Sequence, residues 1–268
     1  MVNWFRENPE VIPGLAAAFV AFLGTVLTAA SIIMSRQQFK AQKESMEADR
    51  EAAQAERKTA RDTVLGDRFA RAIEMLRDDS LAIRMGALYE LEKIGLEVPD
   101  NQEKIVRMLC PYIRNGIEKK ELLIDSFLRV GFKRPNEDIF LACSIASKFY
   151  EKTGCRVELN HLKAEELDLE ELQLQGAKLY EAQFQKAKLN AANFQEAILW
   201  ESNFSEARLY FANLQGAELT HANLENAKHL TVEQLLSAKY AADAEKLNDN
   251  LRAEYDRSKA EHDATKKP

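Results

Sequence analysis

The stretch that decides the fold is AKLYEAQFQKAKLNAANFQEAILWESNFSEARLYFANLQGAELTHANLENA, residues 177–227. Across a slightly wider range, from Leu169 to Leu224, every fifth residue is Leu or Phe, twelve times in succession. From Leu179 onward, Ala or Ser stands two positions before each of them. A period of five fits neither the 3.6 residues of a helical turn nor the period of two of a strand. It favours a solenoid whose square coil has one side per five residues, with the large residue inside and the small one beside it.

The repeat resembles the pentapeptide repeat family, whose pattern is a small residue, Asn or Asp, Leu or Phe, and two variable positions. Full matches are Ala192-Asn193-Phe194, Ser202-Asn203-Phe204, Ala212-Asn213-Leu214 and Ala222-Asn223-Leu224. The steps between them depart at the middle position, which holds Lys178, Gln183, Lys188, Ile198, Arg208 and Glu218. The resemblance implies a right-handed quadrilateral β-helix of about three coils over 156–228. Leu167 and Leu172 replace the small residue upstream, so 156–174 reads as a degenerate first coil.

The second strong feature lies near the start of the chain. Val11 to Met34 is a run of 24 residues without a formal charge, and about 20 apolar residues suffice to cross a bilayer. A signal peptide is the alternative, but its apolar region should run only about 7–15 residues. Apolar residues also continue past the cleavage-like Thr28-Ala29-Ala30. The sequence predicts an N-terminal segment, 1–34, whose residues 11–34 form a transmembrane helix in the lipid bilayer.

The orientation of this helix follows from the charges around it. Asn3-Trp4-Phe5 places aromatic residues at one interface, with Arg6 on the same side. The opposite end is followed by more basic residues, namely Arg36, Lys40, Lys43 and Arg50. The positive-inside rule therefore predicts a single-pass protein of a bacterial inner membrane with its C-terminal body in the cytoplasm. Small residues in the span would allow close helix packing, at Gly14, Ala18, Ala21, Gly24 and Thr28.

Residues 35–64 are almost wholly polar and rich in helix formers, and they contain no Gly or Pro. Phe39, Met46, Ala53 and Ala60 recur every seven residues, but the companion heptad positions are polar. A strong zipper is therefore not expected. The segment is interpreted as a solvated helical stalk, with a weak coiled coil as the alternative.

Residues 65–155 read as a small α-helical domain. Apolar residues recur at helical spacing, and Ser80 stands where it can cap a helix that stops near Gly95. Pro111 should kink or end the next helix, which starts near Asp100. A further helix begins near Pro135. Arg68–Gly95 resembles the helical region that precedes the repeats in bacterial membrane-anchored pentapeptide repeat proteins, and more loosely a HEAT-like helix pair.

The five-residue rhythm ends at His229, so 229–268 forms the last region. Thr231 can cap a short helix with an apolar face, and this helix would cover the open edge of the last coil. Beyond Asp249 we expect a charged and frayed tail. The complete prediction is an α+β architecture: transmembrane helix, helical stalk, small α-helical domain, β-helix and C-terminal capping helix.

Composition and motifs argue against several classes of function. The net charge of −6 disfavours a general nucleic-acid binder. The three cysteines are too dispersed for a paired metal-ligand motif and fit a reducing cytoplasm. No glycine-rich phosphate loop, H-E-x-x-H motif or nucleophile elbow is found. We therefore expect no enzyme activity, no catalytic or metal-binding residues and no cofactor. The acidic residues between Glu165 and Glu171 are interpreted as a solvated face.

Outward columns supply the candidate contact residues. Residues twenty apart should stack, which places Tyr180, Trp200 and Thr220 in one column with Ile198 beside them. Tyr210 and Phe211 fall on the opposite face. Exposed aromatic groups that the solenoid does not require are candidates for a partner surface. The alternative is that another part of the chain folds over them.

The sequence leaves two functions open and disfavours a third. The first is a membrane-tethered, non-enzymatic scaffold that presents its repeats to an unknown cytoplasmic protein, with a homo-oligomer as a further arrangement. The second is a membrane-perturbing effector of a phage-defence or toxin-like system, which genomic neighbours and a growth assay on induction would distinguish. The third, a DNA mimic of the kind known in the family, is disfavoured. Residues 175–228 hold six Glu against five Lys or Arg and are nearly neutral.

Overall fold

The computed structural model describes residues 11–118 and 134–265. It divides the chain into two compact units, Met1–Gly66 and Asp67–Pro268. Helix α1 (Val11–Met75) begins in the first unit and supplies its last residues to the second. The predicted interfacial residues Asn3-Trp4-Phe5 and Arg6 lie outside the described residues.

The first half of α1 is apolar and exposed. Phe19, Phe22 and Leu27 are each more than 60% exposed. Within the described residues, this helix is the one long and apolar enough to cross a membrane. A signal sequence near an N-terminus would meet the same criterion. The helix therefore includes the predicted span, and its length and composition fit either a membrane span or a signal sequence.

The second half of α1 is a polar helix with every side chain from 35 to 64 exposed. Lys40 and Lys43 each reach a carboxylate one turn later, with N–O distances of 3.8 Å to Glu44 and 3.7 Å to Glu47. Such pairs contribute about 0.3–0.5 kcal/mol each. Phe39, which begins the seven-residue repeat, is 71% exposed. The coiled coil stays a prediction.

The second unit opens with a helical part. The end of α1 precedes α2 (Leu81–Glu97), a 3-10 turn (Pro99–Asn101), α3 (Gln102–Glu118) and α4 (Glu137–Thr153). Their shared core consists of fully buried side chains, among them Leu88, Leu91, Ile94, Ile105, Leu109, Ile113 and Phe149. Ser80 occupies the N-cap position of α2, but its side chain makes no capping hydrogen bond.

Two helix ends bear on the sequence-based expectation. Helix α2 ends at Glu97, two residues past Gly95, which agrees with the expected stop near Gly95. A Cβ on Gly95 would lie 2.5 Å from the Phe149 ring, so this glycine also permits close helix packing. Of the two outcomes expected at Pro111, a kink or an end, the structure excludes the end, because α3 continues to Glu118. Its apolar stripe, which includes Leu109 and Ile113, is buried on both sides of the proline, and that burial offsets the roughly 3 kcal/mol that an interior proline costs.

The repeat region is a set of parallel bridges between residues twenty apart. Four series begin at Glu158, Lys163, Asp168 and Gln173, and the first runs Glu158, Lys178, Ile198, Glu218. Each bridge is isolated, and the described residues contain no longer strand. The predicted twenty-residue register is present in these pairings. Leu167 and Leu172, which replace the small residue, are both buried.

The Leu and Phe positions of the repeat are buried. Phe184, Phe194 and Phe204 are at most 1% exposed, and Phe184 stacks on Phe204 at a ring-centroid distance of 5.1 Å. Phe194 meets both rings edge-on, at 5.7 and 5.8 Å. The buried apolar side chains of the helices and the repeats belong to one continuous cluster. The predicted inward positions are therefore confirmed.

The chain after the repeats lies against their last residues. Helix α5 (Val232–Ser237) is capped by Thr231 through a capping box. The Gln234 side chain donates to the carbonyl oxygens of Leu209 (2.9 Å) and Ala212 (2.8 Å). Two further bridges, Glu218–Lys239 and Asn223–Glu245, extend the pairing. Backbone groups that would otherwise form an open edge thus have partners.

The expectation of a frayed tail after Asp249 is wrong for the described residues. A 3-10 turn (Ala241–Asp243) leads to helix α6 (Asp249–Thr265). Tyr255 is only 4% exposed, and Arg252 donates from Nη2 to the Ala244 carbonyl at 2.5 Å. One buried aromatic ring and one anchored guanidinium are signals too sparse to stand out in a highly charged sequence.

Candidate interaction surfaces

The first predicted patch, formed by Tyr180, Ile198 and Trp200, is brought together by the bridge series. Ile198 is bridged to Lys178 and to Glu218. Tyr180 and Trp200 meet edge to face with ring centroids 5.5 Å apart. All three side chains are half-buried. The indole Nε1 of Trp200 is buried and has no hydrogen-bond partner among the described residues. The patch is thus a packed aromatic pair with a moderately accessible surface.

The second predicted patch is more exposed. Tyr210 is 51% and Phe211 74% exposed, and their ring centroids are 4.0 Å apart. The His229 ring meets Tyr210 edge to face at 5.8 Å. Tyr210 belongs to the repeat of Arg208, whose bridges are to Lys188 and Lys228. The structure therefore keeps this patch on a different bridge series from the first.

Phe211 occupies a backbone position that disfavours it. It has φ 57°, in the left-handed region that costs a bulky side chain free energy. The other residues of 161–226 with positive φ are small, polar or charged: His161, Glu166, Glu171, Gly176, Glu181, Lys186, Ala191, Glu196, Glu201, Glu206, Gly216, His221 and Asn226. Folding therefore does not explain a solvent-exposed phenylalanine at this corner.

The predicted transmembrane packing residues lie along α1. Gly14 and Gly24 have open space where a Cβ would stand. The Thr28 hydroxyl donates within its own helix, to the carbonyl oxygens of Gly24 (3.0 Å) and Thr25 (2.9 Å). Ala18 and Ala21 are exposed. A close helix–helix contact at these positions stays a prediction.

The acidic stretch between Glu165 and Glu171 is only partly the solvated face that the sequence suggests. Asp168 is 7% exposed. Its carboxylate accepts from Arg134 at 2.9 Å and from Lys188 at 3.2 Å. Arg134 also lies over the Phe140 ring, 4.3 Å from its centroid. Asp168 thus links the beginning of α4 to the repeats.

Sequence reasoning missed a buried polar network in the helical part. Asp138, 2% exposed, accepts from Nε of Arg84 at 2.6 Å and from the Tyr112 hydroxyl. Burial, followed by the nearby carboxylate, raises the pKa of Tyr112, so its hydroxyl remains a donor at neutral pH. The partners stand 54 and 26 residues from Asp138 in sequence. No local pattern could have indicated them.

A match to a family model agrees with the geometry of the repeats. Residues 187–226 match the model for pentapeptide repeats, with eight copies. These residues are pentapeptide repeats. The matched range lies within the bridged, Leu- and Phe-filled region and includes Trp200, Tyr210 and Phe211.

Solved structures of pentapeptide repeat proteins are also similar to part of the chain. One is HetL of the cyanobacterium Nostoc, involved in heterocyst differentiation regulation: 35% identity, TM-score 0.20, over 26% of this chain and 29% of that one. Another is a pentapeptide repeat protein from the thylakoid lumen of Arabidopsis thaliana. It is 27% identical, with a TM-score of 0.19, and the match covers 30% of this chain and 65% of that one. The chain thus spans less than two thirds of either protein. No match was found among curated proteins.

Proposed function

We propose that this chain is a non-enzymatic interaction scaffold, tethered to a bacterial inner membrane by residues 11–34, that presents its repeats to a cytoplasmic protein. The repeats form, in this proposal, a right-handed quadrilateral β-helix. Their bridges at twenty-residue intervals and their pentapeptide sequence support it. A rigid surface of this kind can hold contact residues in place without ordering them on binding.

The observation that carries the proposal is the exposed Tyr210–Phe211 pair. Aromatic rings of this size dominate the energetics of many interfaces because they remove a large area from water. Phe211 is 74% exposed and sits at a left-handed corner, so it contributes little burial and adds backbone strain. A solvent-exposed Phe at a backbone position that disfavours it is best explained by a contact with a partner.

We expect a photocrosslinking side chain at Phe211 to capture a protein partner in intact cells. The matched control is the same side chain at Glu206, another exposed corner with φ 58°. Adducts would be resolved by gel electrophoresis and mass spectrometry. Equal adducts from both positions would argue against a specific surface, and an adduct of two copies of this chain would indicate self-association.

Phe211→Asn should separate this contact from folding. Asn tolerates the left-handed conformation better than Phe, so the melting temperature of the full chain in detergent should stay constant or rise. Capture by the crosslinker moved to Tyr210 should fall in the same variant. A clear drop in melting temperature would instead assign Phe211 to packing.

Tyr180, Ile198 and Trp200 form the second proposed contact patch. Trp200→Ser should weaken partner capture or self-association while leaving membrane insertion unchanged. Because the Trp200 ring already packs on Tyr180, the decisive comparison is the stability of the full chain measured by denaturation. A loss of several kcal/mol would show that the patch is intramolecular packing.

The membrane tether has its own test. A C-terminal reporter that fluoresces only in the cytoplasm should be bright, and the protein should sediment with membranes. The basic residues that follow the span, Arg36, Lys40, Lys43 and Arg50, support this orientation. A periplasmic reporter, or a soluble protein that lacks the first residues, would contradict it.

A further inference from the structure

A cleft of about 700 Å³ lies where the helical part meets the first bridged residues of the repeats. Its walls come from α3, from the turn after α4 and from the outer face of the repeats. Its cationic lining residues are Arg107, Arg114, Arg156 and Lys178. The Glu158 backbone N–H donates to Sγ of Cys110 at 3.3 Å, which joins two of the walls.

Positive charge dominates this lining. Four cationic side chains line the cleft against two carboxylates, those of Glu103 and Glu158. Glu118, which pairs with Arg114 from outside the lining, reduces the surplus to one positive charge, against a net charge of −6 for the whole chain. Such a local reversal favours an anion at this position over the rest of the surface.

The ion pairs inside the cleft are weak enough to be exchanged. Arg107 pairs with Glu103 one turn away at 2.7 Å, and both side chains are more than half exposed. Lys178 pairs with Glu158, also at 2.7 Å, with exposures of 40% and 62%. Pairs this exposed contribute little to stability. An incoming anion can therefore replace Glu103 and Glu158 as the partner of these cations at little cost in free energy.

Arg114 and Arg156 differ in their partners. Arg114 pairs with the Glu118 carboxylate at 3.5 Å and donates to the Glu158 carbonyl oxygen at 3.5 Å. Arg156 donates from Nη1 to the carbonyl oxygens of Gly176 (2.8 Å) and Glu196 (2.7 Å), which are neutral acceptors. Its guanidinium also lies 5.1 Å from the centroid of the Tyr150 ring. These contacts position the cation without neutralising it.

The two thiols add no negative charge. Burial raises the pKa of Cys110 and of Cys155, so both are uncharged at neutral pH. With Pro111 they give the cleft a weakly polar surface between its cationic groups. Neutral thiols beside guanidinium groups are compatible with an anionic ligand, whereas thiolates would oppose it.

We infer that this cleft binds a small phosphorylated molecule. Each guanidinium group can donate two parallel hydrogen bonds to the oxygens of one phosphate, and the surplus of positive charge in the cleft favours an anionic group. The volume lies within the roughly 300–1,000 Å³ typical of small-molecule sites. The acidic remainder of the chain opposes a long polyanion such as DNA or RNA.

Protection of the two cleft thiols from alkylation tests the inference in the full-length protein. N-ethylmaleimide labelling of Cys110 and Cys155 would be followed by mass spectrometry with pyrophosphate, ATP or inorganic phosphate, against sodium chloride at equal ionic strength. Cys143, which is 1% exposed, serves as the internal unreactive thiol. We expect pyrophosphate or ATP to slow labelling, and sodium chloride not to. The anion that protects at the lowest concentration separates free phosphates from a nucleotide.

Paired variants decide whether the cleft cations are responsible. Arg107→Gln with Arg114→Gln should raise the half-protecting concentration about tenfold or more, equivalent to the loss of about 1.4 kcal/mol. Lys104→Gln with Lys152→Gln removes the same charge outside the cleft lining and should change little. Isothermal titration calorimetry with pyrophosphate measures binding independently of the thiols, because the Arg variants can alter thiol reactivity directly. Absence of protection and of binding heat, or equal losses in both double variants, would overturn the proposal.

Discussion

Phe194→Asp should unfold the repeat region while leaving the helicity of residues 11–64 in place. Phe194 is fully buried and contacts the rings of Phe184 and Phe204. Truncating a buried Phe costs about 3–5 kcal/mol, and burying an unpaired carboxylate adds several more. That sum approaches the roughly 5–15 kcal/mol that stabilises a whole domain.

Gln195→Asp is the matched control for that experiment. Gln195 follows Phe194 directly but is half-exposed, and its side-chain Oε1 accepts a long hydrogen bond, 3.5 Å, from Nδ2 of Asn213. Hydrogen exchange and thermal melting of the full chain in detergent would compare the two variants. Equal melting temperatures would refute the five-residue register, since that register alone places one side chain inside and its neighbour outside.

The repeat core could be predicted from sequence because its information is local. Each inward Leu or Phe is identified by its own five-residue step, and the twenty-residue pairing follows from counting. Phe184, Leu199 and Phe204 are accordingly buried as predicted. The short helix after Thr231 could be predicted for the same reason, because a Thr before an apolar face is a local N-cap signal; the structure adds that the cap is a capping box.

The helical part resisted prediction where its contacts are distant in sequence. Gly95 was predictable as a residue near a helix end, but its close approach to the Phe149 ring, 54 residues later in the sequence, was not. Asp168 read as one of several solvated acids, but Arg134 and Lys188 converge on it. The cationic cleft likewise combines residues from Glu103 to Lys178. Composition and periodicity do not indicate contacts between residues that are so distant in sequence.

The candidate contact residues combine features that the repeat register predicts with contacts that it does not. The register predicts that Tyr210 and Phe211 point outward, and the structure adds that Phe211 has a left-handed backbone conformation. For Trp200 the register gives the column but not the edge-to-face contact with Tyr180 that partly buries it. Partial burial depends on side-chain conformation, which a repeat pattern does not specify.

Asp138→Ala should destabilise the second unit by about 3–5 kcal/mol, the range for removing one partner of a buried ion pair. Asp138 is 2% exposed and joins α2, α3 and α4 through Arg84 and Tyr112. Its removal leaves the Arg84 guanidinium, only 14% exposed, without that acceptor. The Tyr112 hydroxyl loses its acceptor as well.

Two further variants assign the cause of that loss. Glu137→Ala removes a carboxylate from the same first turn of α4 and should cost far less, since Asp138 keeps its partners. Tyr112→Phe removes one donor and should cost about 1 kcal/mol. Chemical denaturation of the full chain, followed by circular dichroism, would measure all three. Equal denaturation midpoints for Asp138→Ala and Glu137→Ala would show that the Asp138 network contributes little to stability. The apolar core around Leu91, Leu109 and Phe149 would then hold the helices together.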